Sequence, residues 1–198
     1  MVQSYHHGAL HAALLAAAEV ILERDGIAAL SLRATAREAG VSHAAPAHHF
    51  ASLSGLLSAL AADGFVRLRR RLLDELQRVG PEPGQRRLAL GRGYVGFARG
   101  APGLFRLMFR SEQLDWSQPA LAAAGAATFA LLLPQGGGDG AATPPDQAGL
   151  GAIMHHWSSV HGLATLLVDG RFAAVADAIL PGADIEALVD QAIGAAAG

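Results

Sequence analysis

Residues 31–50, SLRATAREAGVSHAAPAHHF, constrain the fold more than any other stretch of the chain. The Ser31 hydroxyl is placed to cap a helix, and Leu32, Ala36 and Ala39 recur at helical spacing as a narrow apolar stripe. Gly40 can adopt the positive φ that ends such a helix. Val41 anchors the turn, and Ser42 reads as a second N-cap, opening a helix through His43, Ala44, Ala45, Pro46, Ala47, His48, His49 and Phe50. Two short helices joined this tightly make a helix-turn-helix, and Ala36 and Ala39 leave room for a close, steep crossing.

The remaining sequence is also helical in pattern. Apolar residues make up 52% of the 198, with Ala and Leu prominent, which favours helix over strand. A first helix is expected over residues 8–25, its core face carried by Leu10, Leu14, Ala17, Ala18, Ile21 and Leu22, with Gly26 as the stop. Ser52 caps a fourth helix with Leu56, Leu57, Leu60, Phe65, Leu68, Leu72 and Leu76 inside. The run Gly80-Pro81-Glu82-Pro83-Gly84 breaks the chain. Further helices are expected at 85–100, 102–110, 118–133, 146–169 and 184–196. The one at 118–133 is nearly all apolar and so expected to be buried, and GGGDGAATPP at 136–145 is expected to be a flexible loop.

Several segments in order now carry a resemblance: YHHGAL from Tyr5, DGIAALSLR from Asp25, AREAGVS from Ala36, HHF from His48 and an apolar fourth helix from Leu56. From Tyr5 to about Phe65 the chain resembles the N-terminal domain of TetR-family transcriptional regulators. HWSSVHG from His156 and YVGFARGAPGLFRLMF from Tyr94 are similar to a C-terminal domain class with a Trp-His-Gly motif. The resemblance implies an all-α protein with a three-helix helix-turn-helix DNA-binding domain at 1–52 and a helical effector-binding and dimerisation domain at 53–198. It implies a cytoplasmic homodimer, a repressor, that binds a double-stranded DNA operator and releases it for a small hydrophobic effector of unspecified identity. The DNA-facing residues would be Ser31, Arg33, Ser42, His43, Ala44, Ala45, Ala47, His48 and His49. His43 and His48 would read bases, and Ala44 or Ala45 would meet a thymine methyl. The chain departs from the family at Ala47, where a Tyr is common, and at Leu53, where a Lys is common. Both losses remove phosphate contacts, so a helical ligand-binding or interaction protein with weak or lost DNA binding is the alternative.

An apolar effector pocket is expected from Phe97, Phe105, Met108, Phe109, Trp116 and Phe129, with Trp157 beside it. Arg99 and Arg106 could receive an acidic group, though solvation is the simpler role. The dimer interface is expected on Ile153, Trp157, Val160, His161, Ala164 and Leu167 together with Ile185, Leu188, Val189 and Ala192. Trp157 and His161 are four apart and share a helix face, where core packing is the competing role.

Charge and composition narrow the function. Residues 1–110 hold 14 Arg against 8 acidic residues, while 111–198 hold 1 Arg against 9. A basic N-terminal part suits a polyanion, although the arginines at 67, 69, 70 and 71 also serve simply to solvate one long helix. With no cysteine, disulfides and thiolate metal sites are excluded. His6, His7 and His11 lack a convergent third ligand, and His155, His156 and His161 do not share one face, so no metal or cofactor is expected. No Ser, His and Asp stand in a nucleophile setting, so no enzyme is expected. No uncharged apolar run reaches bilayer length, and no membrane partner is expected.

Overall fold

The computed structural model describes residues 3–110, 112–133 and 145–197, the side chains of 3–7 and 110 excepted. Among these residues there are ten α-helices and no strand: α1 (Gln3–Asp25), α2 (Leu32–Glu38), α3 (Ala45–Phe50), α4 (Leu53–Leu76), α5 (Pro83–Gly100), α6 (Pro102–Arg110), α7 (Pro119–Phe129), α8 (Gln147–Val168), α9 (Arg171–Ile179) and α10 (Ile185–Ala197). The glycine-rich segment expected to be a flexible loop lies outside the described residues apart from Pro145, as do the side chains of His6 and His7.

Two compact units divide the chain, Met1–Val66 with Ala101–Gly125, and Arg67–Gly100 with Ala126–Gly198. This line is not the division by role at 52/53. By packing, the first half of α4, α6 and the start of α7 belong with the helix-turn-helix.

In the first unit, Leu14, Ala18, Ile21, Leu22, Ala36, Phe50, Leu56, Leu57, Leu60 and Phe65 form the core with Leu104, Phe105, Leu107 and Met108. Each fully buried Leu or Phe contributes about 1.5–3 kcal/mol relative to exposure. Gly64 lets α6 approach α4, because a Cβ there would meet the Met108 sulfur and Leu104. The Glu23 carboxylate of α1 accepts from Gly103 N at 2.8 Å and Leu104 N at 2.9 Å. One side chain thus satisfies two of the donors that the first turn of α6 leaves open, and its charge suits the positive end of the helix dipole.

The second unit is built on α5, which packs against α8 and α10. Its glycines permit this: a Cβ at Gly91 would run into the Ile193 Cγ2, and one at Gly93 would meet Leu72. Val95, Phe97, Ala98, Val160, Leu163, Ala164, Val189 and Ile193 are buried here. Two exposed pairs border the α5–α10 contact: Arg99 to Glu186 at 2.7 and 2.8 Å and Arg92 to Asp190 at 3.4 Å. The Arg99 guanidinium holds the Glu186 carboxyl below its usual range.

Three expectations need correction. The stretch at 118–133 shortens to α7 followed by a 3-10 turn at Ala130–Leu132, and only Leu121, Gly125 and Thr128 of it are buried. Its alanines are short enough to remain in water at little cost, so apolar composition alone does not place a helix inside. The second correction is α9, where the sequence reading places no helix; none of its residues is buried, so no core stripe marks it. Third, Ser42 does not cap α3. That helix starts at Ala45, with Ala44 at the cap position and no side-chain cap bond. A start at Ser42 would make Pro46 the first residue required to donate a hydrogen bond within the helix, and Pro has no N–H. The helix therefore begins two residues later, and His48 N donates the first bond, to Ala44 O at 3.2 Å.

The junction of α3 and α4 is unusually tight. Ala51 has φ 60°, and Ser52 N donates to Phe50 O at 2.6 Å across it, a γ-turn of the strained kind. Ser52 then caps α4 by accepting from Gly55 N at 3.0 Å. A Cβ at Gly55 would collide with the Phe50 carbonyl oxygen. Urea denaturation followed by circular dichroism should find Ala51→Gly more stable by up to about 1 kcal/mol, from relief of this strain. Gly55→Ala should lose about 1–3 kcal/mol, because the colliding atom is backbone and cannot swing away.

Candidate functional site

The helix-turn-helix presents one committed face and one open face. On α2, the Ser31 hydroxyl accepts from Ala34 N at 3.1 Å, a cap contributing about 1 kcal/mol. Thr35 is fully buried and donates to Ser31 O at 3.0 Å. Gly40 takes φ 67° at the end of the helix, as its residue type predicts. On α3, Pro46 and Phe50 are buried. Ser31, Arg33, Ser42, His43, Ala44, Ala47 and His48 are exposed, and Ala45 is half-buried.

Two DNA candidates are placed differently from expectation. His43 stands in the turn ahead of α3 rather than on the helix, a consequence of the Pro46 start. His49 is half-buried, with its ring 5.9 Å from His11 of α1 and 6.2 Å from Phe50. It packs partly inward. Leu53, the first residue of α4, is half-buried, and Ala47 is open to solvent.

The seven candidate effector residues divide between the two units. In the first, Phe65 meets Phe109 at 5.5 Å and Trp116 at 5.7 Å, both edge-on. Phe105 lies 5.1 Å from Phe109, and Met108 packs beside them, 2% exposed. The loop after α6 is pinned to α4: Ser54 donates to Gln113 O at 2.7 Å, and Ser58 accepts from Asp115 N at 2.8 Å. The Ser117 side-chain and backbone donors hold the Asp115 carboxyl below its usual range. A hollow of about 380 Å³ in this unit is lined by Leu22, Glu23, Gly26, Ile27, Pro102 and Arg106 among others. Of its lining, the sequence reading singles out Arg106 alone as a possible ligand contact.

In the second unit, Phe97 is buried and Phe129 stands edge-on to Trp157 at 5.8 Å. The Trp157 ring lies 5.4 Å from His161, and the Tyr94 hydroxyl shares a 2.7 Å hydrogen bond with His161 Nδ1. Tyr94 is missing from the sequence-derived site, although it opens the motif that carries the resemblance. Burial pushes its phenol well above the usual range, and the neighbouring Trp157 indole N–H pulls the other way. The indole N–H lies near the phenol but falls short of hydrogen-bonding geometry, which leaves its buried nitrogen without a partner. Among the described residues no group of His, Asp or Glu could hold a metal ion, and His156 instead bonds the Ala196 carbonyl at 2.8 Å.

The dimer-interface candidates also separate. Val160, Ala164 and Val189 are buried in the single chain, Val160 against α5, where a Cβ at Gly91 would lie 3.6 Å from its Cγ2. Ile153, Trp157, His161, Leu167, Ile185, Leu188 and Ala192 keep partial exposure. No described helix is long and apolar enough to cross a membrane.

Comparison with known proteins places this arrangement. Residues 14–60 match the family described as bacterial regulatory proteins of the tetR family. Residues 88–195, more than half of the chain, match the tetracyclin repressor-like C-terminal domain. A solved protein of unknown function from Rhodococcus sp. RHA1 is 37% identical, covering 98% of this chain and 95% of its own, with a TM-score of 0.74. SCO4313, assigned as a regulatory protein, is 19% identical over 99% and 98% with a TM-score of 0.76. A protein from Shewanella sp. PV-4, assigned as a tetR-family transcription regulator, is 19% identical over 95% and 95% with a TM-score of 0.65. No curated protein matches. With both family matches falling in register on the helix-turn-helix and on the helices after it, the chain belongs to the TetR family of DNA-binding transcriptional regulators.

Proposed function

We propose that the protein is a homodimeric repressor, which holds a short palindromic operator and releases it when a small apolar effector enters the helical body. The observation that carries this reading is the division of α3 and its turn. Pro46 and Phe50 are spent on the core, while His43, Ala44, Ala47 and His48 stand in solvent. Such a helix, fixed from behind and open in front, is the part of a helix-turn-helix that enters the major groove. Small side chains on the open face let the backbone come close, and the imidazoles supply donors and acceptors for base edges. The excess of arginine in residues 1–110 supports a phosphate partner. The WHG assignment of the C-terminal domain rests on the sequence motif.

A duplex from the chain's own upstream region, labelled for fluorescence anisotropy, tests the reading across a salt series. Leu53→Lys adds one cation per subunit at the start of α4. The plot of log K against log salt should steepen by roughly 0.9 per added contact, about 1.8 for a dimer. An unchanged slope in a folded variant would place Leu53 away from the phosphates.

Dimerisation is assigned to the partly exposed side of α8 and α10, around Leu167 and Leu188. Leu188→Arg should yield folded monomers in sedimentation velocity, because an unpaired charge in an apolar contact is costly. Val189→Arg should instead lower the melting temperature steeply, since Val189 is 4% exposed within its own subunit. A Leu188→Arg protein that stays dimeric would relocate the interface.

A further inference from the structure

Two buried polar atoms of the second unit have no hydrogen-bond partner, the Trp157 Nε1 and the Thr165 Oγ1. Buried polar groups are paired in the great majority of cases, so each exception calls for an explanation. Thr165 had an internal solution available. Ser158 and Ser159, on the same helix, bond back to the Met154 and His155 carbonyls at 2.7 and 2.9 Å, the usual resort of a hydroxyl within a helix. Thr165 does not. Trp157, His161 and Thr165 follow one another at intervals of four on α8, so they lie along one side of it. The two unpartnered atoms belong to residues separated by roughly 12 Å of helix rise.

The surroundings restrict what could pair with them. Phe129 stands edge-on to Trp157 and is itself 37% exposed. Tyr94, Phe129, Trp157 and Thr165 supply no cation to receive an acidic group. Burial that raises the Tyr94 phenol by disfavouring its anion would penalise an acidic ligand in the same way. An indole N–H is a donor only, so the group it takes must be an acceptor.

We propose that Trp157 Nε1–H and Thr165 Oγ1 are the polar anchors of the effector site, selecting an uncharged, largely apolar molecule whose acceptor oxygen takes the indole proton. The proposal rests on the regulator reading above and specifies its ligand. The Tyr94–His161 hydrogen bond fixes the imidazole beside Trp157, and so helps hold the indole in one orientation.

Three matched probes test it on the full-length protein without DNA: acetophenone, which has the acceptor, ethylbenzene, which lacks it, and benzoate, which is charged. Proton–nitrogen correlation spectra follow the indole resonances, with Trp157→Phe assigning the Trp157 signal. Acetophenone should move that signal progressively and bind about fivefold more tightly than ethylbenzene, the worth of one net hydrogen bond. Benzoate should bind more weakly than acetophenone. Thr165→Val, which replaces the hydroxyl by a methyl group of similar size, should leave the Trp157 shift in place while weakening probes with a second polar group, such as 4-hydroxyacetophenone. A Trp157 signal unmoved by acetophenone, or equal affinity for acetophenone and ethylbenzene, overturns the proposal. Because DNA is absent, a failure of operator binding leaves this result standing. Release of operator by a compound that does not perturb Trp157 would sink this site while sparing the regulator reading.

Discussion

The structure of the DNA-reading end depends on the contact between the Phe50 carbonyl and the start of α4. With six residues, α3 is too short to be stable alone, so its position must come from what it is fastened to. Pro46 and Phe50 fix it to the core on one side. At its end, the γ-turn at Ala51 and the missing Cβ of Gly55 set it against α4 with no spare residue to flex. An exposed face positioned this firmly can meet a groove without first being ordered, and so avoids an entropic cost on binding.

A second constraint ties α6 and the loop after it to this end. Glu23 caps α6 with both carboxylate oxygens, and Ser54 and Ser58 hold the loop that follows to α4. All of these contacts lie within one compact unit, in which α6 packs together with the helix-turn-helix. The three side chains involved are a carboxylate and two hydroxyls, each engaging backbone groups, so the attachment does not depend on which apolar residues fill the core.

Much of this was legible in the sequence, because the responsible signals are local. Ser31, Gly40 and Ser52 each act within four residues of their own position, and the structure finds each in its expected role. The heptad-like row from Leu56 to Leu76 is likewise local in pattern and is buried throughout. What escaped depends on partners distant in sequence. Ser42 has the residue type of a cap, but a helix starting there would need the N–H that Pro46 lacks. Val160, Ala164 and Val189 are apolar and in helical register, which does not say whether a stripe faces a second subunit or is buried in its own chain, as these three are. Glu23 and Tyr94 act across 80 and 67 positions, and no spacing rule connects them to Gly103 or His161. The alanines of α7 show the limit of composition, since a side chain this small is compatible with either environment.

The central claim is that the open face of α3 reads DNA and that a ligand in the body controls the reading. The most direct measurement is anisotropy titration of the protein against its upstream duplex and a scrambled duplex of equal length and composition, at several salt concentrations. The account predicts tighter binding to the upstream duplex, an affinity that falls linearly in log K against log salt, and loss of the sequence preference in the His43→Ala, His48→Ala double variant with the salt dependence largely kept. Equal affinity for the two duplexes, or a double variant that keeps the full preference, would contradict it.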